Sequence, residues 1–166
     1  MAIANLSNLI NELKQKDFYK KFIEENPDAF LAAGFFVLDL DSENHKYQLD
    51  FFLPKLNKLA ISEYPFNEIK IQNDEIKEAK ILDENLKIDT NNLVDEINNL
   101  KIKNDYNKKT SKIVAILKDD LWNLTCLSPS LDVLRIHLNS LNGNCEKFEK
   151  INMASFMDVR KGKKEP

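Results

Sequence analysis

A chain of 166 residues with 43% apolar content has the length of one domain, or of two small half-domains sharing a core. Its net charge is only −3 although 31% of its residues are charged, so it lacks the basic excess typical of a dedicated nucleic-acid binder. Three glycines (Gly34, Gly143 and Gly162) are too few for a phosphate-cradling loop, and two cysteines are too few for a disulfide framework.

Near the start, Leu6, Leu9, Ile10 and Leu13 fall on one helical stripe, with Asn11, Glu12, Lys14 and Gln15 opposite. Asp17 is a candidate cap for a second helical stretch. There Phe18, Phe22 and Ile23 repeat the apolar spacing and Tyr19, Lys20 and Glu24 face outward. Asn26-Pro27 ends it, because the residue before proline avoids the helical region. This segment has no basic leader region, and no apolar run approaches the ~20 residues of a membrane span. The expectation is a soluble cytoplasmic protein, with Cys126 and Cys145 as buried, neighbouring thiols.

Residues 30–39 (FLAAGFFVLD) form a nearly continuous apolar run of strand length. Ala32, Ala33 and Gly34 predict close packing by the preceding helix. Residues 45–53 alternate, with Tyr47, Leu49 and Phe51 on one face and Lys46, Gln48 and Asp50 on the other, the period of a half-exposed strand. Pro54 to Asn57 turns the chain into a third short strand, residues 58–63, ended by Tyr64-Pro65. Residues 67–89 read as a solvated, charged connecting arm, with room for one more strand around Ile69 to Ile71.

Asp89-Thr90 caps a second clean helix carrying Leu93, Val94, Ile97 and Leu100. A four-strand antiparallel meander follows, cut by Asp119-Asp120, Ser128-Pro129-Ser130 and Asn142-Gly143. Trp122, Leu124 and Cys126 share a face with Leu134, Ile136 and Leu138, while Arg135 and His137 point the other way. Trp122 reads as core rather than as a ligand platform. Residues 151–159 carry Met153, Phe156 and Met157 and are read as returning over the sheet, before the basic tail Arg160, Lys161, Lys163 and Lys164.

The second half resembles a PepSY-type module, a cystatin-like helix laid across a meander. The match rests on the helix Leu93 to Leu100, on Leu121-Trp122-Asn123-Leu124-Thr125 and on Leu134-Arg135-Ile136-His137-Leu138. The turn at its end reads Asn139-Ser140-Leu141-Asn142-Gly143, with Asn139 where that family carries an acidic residue. The whole chain also resembles small uncharacterised archaeal proteins, through the aromatic first strand, Tyr47 to Phe52 and the Trp122 strand. PepSY modules bind or regulate rather than catalyse, so the resemblance implies a binding or inhibitory module.

Catalytic patterns are missing from the sequence. His45 and His137 sit on expected strands, with no G-x-S-x-G elbow and no metal-ligand spacing. A Cys145–His137 pair across neighbouring strands is the nearest approach to a nucleophile. The expected fold is α+β: antiparallel meander sheets, each covered by an amphipathic helix, in two halves that share a sheet or pack face to face. The boundaries are residues 1–66, the arm 67–89, the PepSY-like unit 90–159 and the tail 160–166. The expected function is non-catalytic recognition of a peptide or protein through a sheet face or edge, with Lys46, Gln48, Asp50, Arg135 and His137 as contact residues. No cofactor, metal or membrane partner is expected, and a homodimer through a sheet edge fits the same reading. The alternatives are a small-ligand carrier or enzyme with a pocket between two sheets, and a ribosome or RNA accessory acting through Arg160, Lys161, Lys163 and Lys164.

Overall fold

The computed structural model describes residues 2–152. Helix α1 (Leu6–Lys14) starts where the Asn5 side chain accepts the Asn8 backbone N–H at 2.8 Å, satisfying one of the free donors of a helix N-terminus. Its stripe of Leu6, Leu9, Ile10 and Leu13 is buried. Helix α2 (Asp17–Glu25) is capped by Lys16 without a side-chain bond. Asp17 is instead its first residue, where a carboxylate favours the helix dipole. Tyr19 does not face outward as its spacing suggested. Its ring lies 5.7 Å from that of Phe51, packed against the core, where a large ring gains apolar contact.

Eight strands make one sheet: β1 (Phe30–Asp39), β2 (Lys46–Leu53), β3 (Lys58–Glu63), β4 (Lys70–Glu75), β5 (Lys112–Lys118), β6 (Leu121–Leu127), β7 (Asp132–Asn139) and β8 (Cys145–Asn152). The order is β4-β3-β2-β1-β5-β6-β7-β8, antiparallel throughout. The protein is therefore α+β, with one sheet; of the two arrangements the sequence left open, a shared sheet and sheets packed face to face, the strands form the shared sheet. The joint is the β1–β5 ladder, which runs from Ala33 against Lys118 to Asp39 against Lys112. Both strands carry long apolar runs, and a strand flanked on both sides tolerates such a run better than an edge strand does.

The three α-helices of the described residues cover one face. Helix α3 (Leu93–Lys103) follows a 3-10 turn at Thr90–Asn92, where Asp89 and Asn92 form a reciprocal capping box. Leu93 and Ile97 are fully buried. The core joins these helical residues to Phe36, Leu49, Leu117, Trp122, Leu124 and Ile136, all on the same side of the sheet. Trp122 is completely buried, with its ring 5.6 Å from that of Phe36. Gly34 makes room for Phe36 on its own strand rather than for a helix: a Cβ at residue 34 would stand 2.6 Å from the Phe36 ring.

The arm does more than connect. After β4, the segment 76–89 runs along one end of the sheet as a strap and buries Leu82 and Ile88. Leu82 donates its N–H to Leu31, and Lys87 and Ile88 both donate to the Ser140 carbonyl. Lys80 bridges to Asp120 at 2.6 Å. The strap thus ties the start of β1, the β5–β6 turn and the β7–β8 loop together. Its end is fixed to the N-terminus: Asp89 accepts the Leu6 N–H at 2.8 Å, and Thr90 donates its hydroxyl to the Ala4 carbonyl.

The turns follow their chemistry. Asp119 and Asp120 both have positive φ (52° and 61°), the geometry of a tight two-residue hairpin that short polar side chains tolerate. Asn139 accepts the N–H groups of Leu141 and Asn142, and Gly143 supplies the positive φ that closes the loop.

Candidate recognition face

Because side chains alternate across a strand, burying one face of the sheet leaves much of the other open to solvent. Phe35, Val37 and Val114 are half-buried there, and Ile116 is 36% exposed. The register fixes which residues stand abreast. One transverse row runs through Gln48, Phe35, Ile116, Asn123, His137 and Lys147, each opposite the next. The adjacent row runs through Lys46, Val37, Val114, Thr125, Arg135 and Glu149.

The five contact residues expected from the sequence therefore lie on one face but in two groups. Lys46, Gln48 and Asp50 are on β2, and Arg135 and His137 are on β7. Four inter-strand steps separate the groups, about 19 Å at roughly 4.8 Å per step. Between them lies the apolar stripe of β1 and β5. An apolar centre with polar flanks is the pattern of a recognition surface.

At the β2–β3 end this face is concave. Two adjoining grooves of about 340 Å³ and about 330 Å³ share Gln48, Glu63 and Tyr64. Ile61 and Lys70 line the first, and Phe35, Val37 and Lys46 line the second. The wall is the loop after β3. Tyr64 donates its N–H to Tyr47 at 2.8 Å, its ring packs edge-on against Tyr47 and Phe66, and the buried Ser62 hydroxyl holds the loop through the Glu68 carbonyl at 2.7 Å. Tyr64 was read from the sequence only as the end of a strand. Its aromatic ring beside a proline was the available signal for a wall residue.

Asp50 is half-buried, opposite Ala33 on one side and Ile61 on the other. Burial among these apolar neighbours pushes its carboxyl above the usual aspartate range. The Gln48 amide donates to it at 2.8 Å and pulls the other way.

The remaining candidates separate. Cys126 is buried on β6 and Cys145 is exposed at the start of β8. Both are free thiols, and the ladder does not make them neighbours. Nor does a Cys145–His137 pair form: His137 stands opposite Lys147, and the Cys145 thiol donates to the Lys147 carbonyl at 3.3 Å. His45 accepts the Asp39 N–H through Nδ1. The pocket expected between two sheets has no counterpart, since the strands form one sheet. Among the described residues no cluster of three or more His, Cys, Asp or Glu side chains is placed to hold a metal, and no helix is long and apolar enough to cross a membrane. Arg160, Lys161, Lys163 and Lys164, and the expected return of residues 153–159, lie outside the described residues.

What the fold defines is a single antiparallel sheet with helices on one side and an open face on the other. No family model matches the chain, and no curated protein does. A solved structure described as a "putative lipoprotein" from Clostridium difficile 630 shares the fold, with a TM-score of 0.50 over 84% of this chain and 98% of that one, at 14% identity.

Proposed function

We propose that this protein is a non-catalytic binding module that takes a peptide or protein partner on the open face of its sheet. The observation that carries the reading is the pair of transverse rows. They set an apolar stripe of Phe35, Val37, Val114 and Ile116 between polar flanks at Lys46 and Gln48 and at Arg135 and His137. The grooves beside Tyr64 give the face relief into which partner side chains fit. A cytoplasmic location belongs to the same reading, since two free thiols suit a reducing compartment.

The test is capture on peptide arrays and from lysate of the source cell, comparing wild type with two surface variants. Ile116→Arg disrupts the centre of the open face, whereas Ile102→Arg alters an exposed position on α3. Loss of capture with Ile116→Arg alone supports the reading. Equal capture by both variants overturns it, and so does a small metabolite that raises the melting temperature while no peptide or protein binds.

A further inference from the structure

Strand β8 closes one side of the sheet and has one neighbour among the described residues, β7. Its sequence over residues 146–150 is Glu-Lys-Phe-Glu-Lys. Charged residues on an edge normally oppose strand addition. Here their order does the reverse for one particular partner. We propose that β8 is a homodimer interface, pairing antiparallel with β8 of a second copy about a two-fold axis at Phe148.

Symmetry and pleat restrict the choice of register. Two antiparallel edge strands side by side are related by an axis perpendicular to the sheet, which keeps the helix-covered face on the same side in both copies. Opposed side chains must also share a face. The axis therefore passes through a residue, not between two. Placed at Glu146, Lys147, Glu149 or Lys150, it sets two like charges directly opposite each other, which destabilises pairing. Placed at Phe148, it sets Lys147 opposite Glu149 of the second copy and, by symmetry, Glu149 opposite the second copy's Lys147, while Glu146 falls at the bulge where the β7–β8 register shifts and is left out of the pairing. Two opposite-charge pairs then flank one aromatic pair. Within this run no other position of the axis avoids opposing like charges.

The three-dimensional setting fits. Lys147 and Glu149 already lie on the open face, 3.0 Å apart within one chain, so the dimer completes a four-charge cluster there. Phe148 lies on the helix side, half-buried, with its ring 6.2 Å from that of Tyr106 and edge-on to it. A second Phe148 covers the exposed part of that ring. The open faces of the two copies then become one surface. This inference does not depend on which partner that surface binds.

The experiment is sedimentation of the full chain, with single charge reversals that separate pairing between copies from pairing within a chain. Wild type is expected at twice the mass of 19.3 kDa. Lys147→Glu alone, and Glu149→Lys alone, are expected to be monomers, because each opposes like charges across the axis. Mixing the two single variants is expected to regenerate a dimer containing one of each, although neither chain regains its own Lys–Glu pair. A wild type that stays monomeric at every concentration overturns the proposal. So do single variants that remain dimeric with wild-type affinity, or a mixture that yields no heterodimer although circular dichroism shows both variants folded.

Discussion

The indole N–H of Trp122 donates to the backbone carbonyl of Ile88 at 2.8 Å, so a fully buried aromatic of the sheet holds the strap against the end of the strands. Both groups are out of water, and a buried carbonyl deprived of its donor bears the full desolvation cost. Trp122→Phe is expected to lower stability by about 1–3 kcal/mol for the unpaired carbonyl, plus the cost of the space left by the smaller ring. Urea denaturation measures it. A change below about 0.5 kcal/mol would mean that the bond does not contribute.

Ser140 presents the opposite case. Its carbonyl accepts from Lys87 and Ile88 and its N–H donates to Asp120, yet its hydroxyl is buried with no partner among the described residues. Ser140→Ala keeps the backbone bonds and removes the unpaired group. The variant is expected to be more stable by about 1 kcal/mol. A loss of stability would reveal a water or other partner on that oxygen.

Asp50 sets a pH dependence. Burial raises its carboxyl above the ordinary value of 3.8, so the folded state keeps a proton that the unfolded chain has already released. Between those two values the folded state binds more protons, and stability falls as pH rises through that window. Asp50→Asn is expected to melt at a higher temperature than wild type at neutral pH. The gap should narrow as pH drops towards and below 3.8. A constant gap across the series would assign the effect to packing instead.

The two thiols are expected to react very differently. Burial pushes the Cys126 thiol up to about 12, leaving it neutral and shielded, whereas Cys145 is exposed. Native protein treated with a maleimide should gain one adduct, lost in Cys145→Ser, and two adducts once unfolded in urea. Mass spectrometry counts them. Rapid double labelling of native protein would contradict the burial of Cys126.

Strands and helices with a strong period were legible in the sequence: the stripe from Leu6 to Leu13, the alternation from Lys46 to Phe51, and the strands around Trp122 and Ile136. The strap was not. An extended segment crossing the ends of strands is anchored at isolated points, so Leu82 and Ile88 carry no repeating pattern and look like stray apolar residues in a charged stretch. The last strand of the first meander, β4, was faint because an edge strand is polar on both faces. Lys46, Gln48, Asp50, Arg135 and His137 were legible as outward-facing. Their arrangement in shared rows was not, because it depends on the β1–β5 register, which no hairpin turn specifies. Two long apolar runs, Phe30–Asp39 and Lys112–Lys118, were the signal that both strands are central.

Among the described residues, six of the seven ladders join strands that follow one another in the chain, and β1–β5 alone joins strands with more than seventy residues between them. Hairpins close their loops cheaply, whereas this seam must overcome the loop entropy of everything from β2 to α3. Assembly of the molecule is thereby divided into fast local zippering and one slow docking event. Truncating Val114 or Val37 is expected to slow refolding in proportion to the stability it removes, while truncations near the Asn142-Gly143 loop act mainly on the unfolding rate.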